Sequence, residues 1–217
     1  MRTVLLTLAG MALAGPAAAQ HHNHHPQPTQ QAQAPDHSRY PAGWHARVDR
    51  DASRESVWLM DHGTELHFKT GPAGAVYYNE GWKKEGDYGV SARFRQVAAS
   101  EHPEGYGIVI GGKELDGAGQ RYSYFLIRQT GEFFVATRRG AERAKVVDWT
   151  PSDAIRKIDA AGKAENVLAV AVKGNEVVFS INGTEVARRP RAELETDGLA
   201  GFRVNHRLEL LVDGVAK

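Results

Sequence analysis

The sequence predicts an all-β fold of two packed antiparallel sheets with one short helix, and three observations carry that reading. From Trp44 onward apolar and polar residues alternate with a period of two, which is the side-chain period of a strand with one buried face. Turn residues recur about every eight to twelve positions, the spacing of a sandwich or barrel. The segment that carries helix-start signals, "TPSDAIRKID" (150–159), is short.

In chain order, "SVWLMD" (56–61), "ELHFKT" (65–70) and "AVYYNE" (75–80) are the first strand runs. "YGVSARFRQV" (88–97) sets Val90, Ala92 and Phe94 against Arg93 and Arg95, so one face is apolar and the other polar. "YGIVIGG" (106–112) follows, then "RYSYFLIRQ" (121–129) and "EFFVATRR" (132–139), joined by a hairpin at Thr130-Gly131. "AKVVDW" (144–149) leads to the helix, with Thr150 as N-cap, Pro151 at its first position and Asp153 three residues after the cap. "ENVLAVAVKG" (165–174), "NEVVFSIN" (175–182) and "TEVARR" (184–189) form a meander that turns at Gly174-Asn175 and Asn182-Gly183, because Asn-Gly readily takes the positive φ of a two-residue hairpin. "GLAGFRV" (198–204) and "RLELLVDGV" (207–215) complete the strands.

The chain opens "MRTVLLTLAGMALAGPAAAQ", with Arg2 ahead of an apolar run and Ala17-Ala18-Ala19 behind it. That pattern reads as a secretory signal peptide over 1–19, and hence as export to the periplasm or beyond the cell. Its apolar run falls short of the ~20 residues of a membrane span. With no cysteine, neither a lipid anchor nor a disulfide is expected. Residues 20–43, rich in His, Gln and Pro, read as a disordered linker, which leaves 44–217 as one domain, expected to be a monomer. Without Arg2 the formal net charge falls from +1 to 0, a balance that sets aside nucleic acid and anionic membrane as partners.

Several motifs cluster in the second half: Trp149 to Ser152 as W-T-P-S, Asn166 to Val170 as N-x-L-x-V, the Ile181-Asn182-Gly183 hairpin, Gly198 to Gly201 as G-x-x-G, and a terminal strand carrying Asp213. Together they resemble the concanavalin A-like lectin/glucanase superfamily, and more narrowly its bacterial laminin G-like and 3-keto-disaccharide hydrolase-like jelly rolls. The resemblance runs over roughly Tyr88 to Val215 and more loosely back to Trp44. It implies a jelly-roll sandwich whose curved sheet offers a trough for sugars, held by aromatic stacking and planar polar groups. Strand positions suited to that work are Tyr78, Asn79, Arg93, Arg95, Tyr122, Tyr124 and Arg128. Trp82, in a Gly-rich stretch, is expected in an exposed loop, and Arg138, Arg139 and Arg143 as a charged edge against strand association.

The glycosidases of this superfamily carry Glu-x-Asp-x-x-Glu or Glu-x-Asp-x-Glu on a strand, a pattern this sequence lacks; Glu193, Glu195 and Asp197 alternate in what reads as a connecting loop. The leading expectation is therefore an exported, non-catalytic domain that recognises carbohydrate or another envelope component and requires no cofactor. A glycan hydrolase of the 3-keto-disaccharide hydrolase-like type is the alternative by analogy. A third reading is an envelope metal-handling protein that gathers a transition metal at His21, His22, His24 and His25. The resemblance also implies a structural Ca2+ at Asp213, with Asp49 or Asp51 as a further oxygen ligand.

Overall fold

A sheet with one apolar face must bury that face, and a second sheet does so here: the structure, a computed structural model, describes residues 40–49 and 56–216 in that arrangement. Residues 1–19, read as a signal peptide, residues 20–39 of the expected linker with the four clustered histidines, and Asp51 lie outside the described residues.

The strands are β1 (Trp44–Val48), β2 (Val57–Asp61), β3 (Leu66–Thr70), β4 (Ala75–Lys84), β5 (Tyr88–Gln96), β6 (Gly105–Lys113) and β7 (Arg121–Arg128) in the first half. The second half holds β8 (Glu132–Arg139), β9 (Glu142–Pro151), β10 (Ala164–Lys173), β11 (Glu176–Ile181), β12 (Thr184–Pro190), β13 (Gly198–Val204) and β14 (Glu209–Ala216). They form two seven-stranded antiparallel sheets, β1-β4-β13-β6-β7-β8-β9 and β12-β11-β10-β5-β14-β3-β2, the jelly-roll sandwich expected.

The core between them is aromatic. Phe202, on the third strand of the first sheet, lies 5.6 Å from Phe68 and 5.4 Å from Phe94 of the second sheet, both edge-on. Trp44 and Trp82 pack on its other sides at 6.1 and 5.6 Å. Edge-to-face contacts of this kind add to the large apolar area each ring buries. Trp82 is thus a core residue, against the expectation of an exposed loop. β4 runs on through Lys84, and its indole, 6% exposed, turns inward against Trp44.

The predicted helix does not form. Thr150 and Pro151 finish β9 opposite Phe133 and Glu132, and Ser152 to Ile155 make a single turn. The reason lies in what satisfies the backbone beyond that turn. The fully buried Asn166 side chain accepts from Arg156 N–H at 2.8 Å and donates to Arg156 C=O at 2.9 Å. Asn182 donates to Ala154 C=O at 2.8 Å. With these partners supplied from β10 and the β11–β12 turn, a helical ladder is not required, and Ile155 can bury itself in the core. A one-turn 3-10 helix, Arg191–Glu193, stands instead between β12 and β13. β1, which no strand prediction covered, puts Trp44 and Ala46 inward.

The Asn182-Gly183 hairpin has the predicted geometry, with φ of 51° and 84°. Beyond its turn role, Asn182 accepts from Val167 N–H at 2.8 Å and donates to Asn166 Oδ1 at 2.8 Å. Asn182→Gly keeps the turn and removes those bonds. Urea denaturation is expected to show a loss of about 1–3 kcal/mol, whereas Asn175→Ser in the exposed turn before β11 should stay within about 0.5 kcal/mol.

Candidate functional site

The alternation that sends Phe202 into the core sends Arg203 to the outer face of the first sheet. The antiparallel register extends that position into a row. Arg47 of β1 pairs with Val76 of β4, which pairs with Arg203, while Leu126 of β7 pairs with Phe134 of β8 on the same face. The next row brings Tyr78, Gly201, Val109 and Tyr124 side by side. Gly201 is required there, because a Cβ would stand 2.1 Å from the Tyr77 carbonyl oxygen. The outer face therefore has an apolar floor of its own, made by Val76, Tyr78, Val109, Tyr124, Leu126 and Phe134.

Arginines roof this floor. Two adjoining recesses of about 340 and 280 Å³ open over it, sharing Tyr124, Arg143 and Arg203. Arg203 is fixed by Asp49: Nη1 donates at 2.7 Å, Nη2 donates to the second carboxylate oxygen, and Nε donates to Asn205 Oδ1 at 2.9 Å. Burial opposes its charge, but the hydrogen bonds and charge of Asp49 outweigh it, so the guanidinium pKa is raised and Arg203 stays charged. Arg47 donates to Leu115 C=O at 2.8 Å and Gly117 C=O at 3.0 Å, tying the β6–β7 loop down as one wall. Arg138 Nε donates to Gly140 C=O at 2.8 Å at the β8–β9 turn, the other wall.

Tyr122 and Tyr124 are 5% and 8% exposed, so their rings lie under the guanidinium groups and are not open platforms. Burial raises both phenol pKa values, with the charge of Arg203 acting the other way, and the hydroxyls remain protonated. At the far end Arg128 lies 4.5 Å over the Trp149 ring, which in turn stacks 5.0 Å from Phe134. Glu132 holds Arg128 there by hydrogen bonds of 3.0 and 2.6 Å. Those bonds, with one from Thr130, pull the Glu132 pKa from 4.5 down to about 2.

The candidates read from the sequence divide between two surfaces. Tyr78, Tyr122, Tyr124 and Arg128 share this outer face. Asn79 does not join them: it follows Tyr78 on β4 and stands opposite the inward-facing Trp44, its Oδ1 accepting from Gly81 N–H at 2.9 Å. Arg93 and Arg95 lie on the outer face of the second sheet. There Asp213 meets Arg93 at 3.4 Å and Arg95 at 3.0 Å, and Glu65 also binds Arg95. Asp49 and Asp213 thus stand on opposite sheets, each engaged by arginine, and the oxygens named for Ca2+ do not converge at these two residues. Among the described residues no cluster of three or more His, Cys, Asp or Glu is placed to hold a metal ion. Glu193, Glu195 and Asp197 lie in the β12–β13 connection, where Glu195 pairs with Arg139 and Asp197 with Arg191.

Sequence reasoning missed Arg47 and Arg203 and read Arg138 and Arg143 only as an edge device. A local signal existed for the last pair: Arg138 and Arg143 flank the Gly140 turn symmetrically and pair across it.

No family profile and no curated protein matches the chain by sequence. Solved structures do match it. The carbohydrate binding module CBM66 from Bacillus subtilis aligns with TM-score 0.57 and 8% identity, over 80% of this chain and 93% of that one. The exoplasmic/lumenal domain of VIP36, in its Ca2+/Man-bound form, aligns with TM-score 0.52 and 9% identity, over 78% of this chain and 81% of that one. A Bacillus subtilis protein of unknown function with a galectin-like fold gives TM-score 0.50 at 14% identity, over 80% and 87% of the two chains. The fold is that of the concanavalin A-like jelly-roll sandwiches. No helix among the described residues is long and apolar enough to cross a membrane.

Because the Glu132 pKa is lower in the folded chain than in the unfolded one, its pairing stabilises the fold fully above about pH 4.5. That contribution is lost as pH falls through about 2. Glu132→Gln should therefore lower the denaturation midpoint at pH 6, and the gap to wild type should narrow steadily as the buffer is taken from pH 4.5 towards 2.

Proposed function

We propose that the protein is an exported recognition domain that holds a carbohydrate in the recess on the outer face of its first sheet and does not cleave it. One observation carries this reading: guanidinium and phenol donors from β1, β7, β8, β9 and β13 converge on a single recess over a preformed floor. Sugars present many hydroxyl and ring oxygens at fixed spacings, and planar donors already held in place by Asp49 and by backbone carbonyls meet them with little ordering cost. The same fold serves as a carbohydrate binding module in CBM66, and VIP36 was observed with mannose, which supports the reading by analogy.

Cleavage would need one carboxyl to protonate the leaving oxygen and a second about 5–10 Å away. The carboxylates lining the two recesses already have partners: Asp49 and Glu132 meet arginines, and Glu104 lies 3.1 Å from His206 Nε2. Asp49 is bound through both oxygens, and Glu132 is held ionised. Export rests on the 1–19 pattern alone, and an envelope glycan is the partner that address suggests.

The test is to pass the purified chain over immobilised polysaccharides and to measure retention and released sugar together. Arg143→Ala should weaken retention about tenfold or more without shifting Tm, since losing a charged hydrogen bond costs about 1.5–3 kcal/mol. Arg188→Ala, on the edge strand β12, should leave retention unchanged. Equal retention by wild type and Arg143→Ala would overturn the recess as the site. Released sugar would shift the assignment to hydrolysis, with Glu104 the first carboxylate to replace and Asp49 and Glu132 next.

A further inference from the structure

Resting on that reading, we propose that the sugar held in the recess is acidic: a glycan bearing carboxylate or sulfate groups, bound between Arg138 and Arg143. The larger recess is lined by four arginines, Arg47, Arg138, Arg143 and Arg203, against one carboxylate, Asp49. That carboxylate is already spent on Arg203. Among the described residues, Arg47, Arg138 and Arg143 lie within ion-pair distance of no carboxylate. Arg47 and Arg138 donate to backbone carbonyls, which bind the group without cancelling its charge. Arg143 lies over the Phe134 ring at 5.9 Å.

The second sheet makes the contrast. Its outer face also carries two arginines on one strand, but Asp213 sits between Arg93 and Arg95, with Glu65 and Glu165 beside them. That face neutralises itself; the recess does not.

Arg138 and Arg143 are direct partners across β8 and β9. Like charges placed opposite each other in an antiparallel pair are destabilising. The neighbouring positions avoid this, since Arg139 faces Glu142 and Lys145 is paired with Asp148 at 2.7 Å. An oxyanion between the two guanidinium groups would turn the repulsion into two charge-assisted contacts. The donor balance points the same way. Guanidinium groups donate and cannot accept, and the phenols are held protonated, so the recess is rich in donors and favours a ligand rich in acceptors. A neutral sugar would leave the repulsion standing.

The experiment uses polysaccharides matched in backbone: polygalacturonate against its methyl ester, and dextran sulfate against dextran. Wild type should retain an acidic member about tenfold or more tightly than its neutral counterpart, and added salt should erase the difference as it screens the charges. Whichever acidic member is retained names the carboxylate or the sulfate as the source. Arg138→Gln and Arg143→Gln should each abolish the preference while Tm stays level or rises, because each removes the like-charge pair. Equal retention of acidic and neutral members would overturn the acidic assignment and leave carbohydrate recognition standing. Retention of neither would overturn both. A preference untouched by these two substitutions but lost in Arg188→Gln would place the anion on the outer edge and overturn the site.

Discussion

The sandwich depends on the way Phe202 is clamped between its neighbours. Its ring meets Phe68 and Phe94 from the opposite sheet and two tryptophans from its own, so β13 can occupy only one register. The side-chain period of a strand is two, and a slip by one residue would bury Arg203 and expose Phe202. The packing that holds the sheets together therefore also aims the central guanidinium of the recess. Asp49 then completes the placement from the end of β1.

A second economy is electrical. The chain is close to neutral overall, yet its two outer faces treat charge in opposite ways. On one, arginines and acids interleave and cancel; on the other, four guanidinium groups and a single carboxylate gather above an aromatic and aliphatic floor. Net charge alone could not have revealed this, because a sum carries no positions.

What could be read from the residues was local. Period-two runs located most strands, and Asn182-Gly183 announced a hairpin because its φ values suit few other residues. The helix failed because Thr150-Pro151 has good capping chemistry, while the groups that satisfy that backbone, Asn166 and Asn182, sit on later strands. Trp82 was misplaced because glycines around it suggested a loop, whereas Trp44 and Phe202 draw it inward. The candidate residues split between two surfaces for a related reason: alternation tells which side of a strand a residue faces, not which sheet the strand joins. Arg47, Arg138, Arg143 and Arg203 come from four strands, and only the register of the first sheet assembles them.

Among the described residues β1 is an edge strand, hydrogen-bonded on one side only, to β4. It nevertheless carries Arg47, which ties down the β6–β7 wall, and leads into Asp49, which holds Arg203. Tension applied to the chain ahead of Trp44 falls first on this strand. Peeling it away would release the wall and free the central arginine together, while the aromatic contacts of Phe202 with Phe68 and Phe94 stayed in place. The arrangement of the recess is therefore mechanically weaker than the fold itself: a pull strong enough to strip β1 would dismantle the recess before the two sheets came apart.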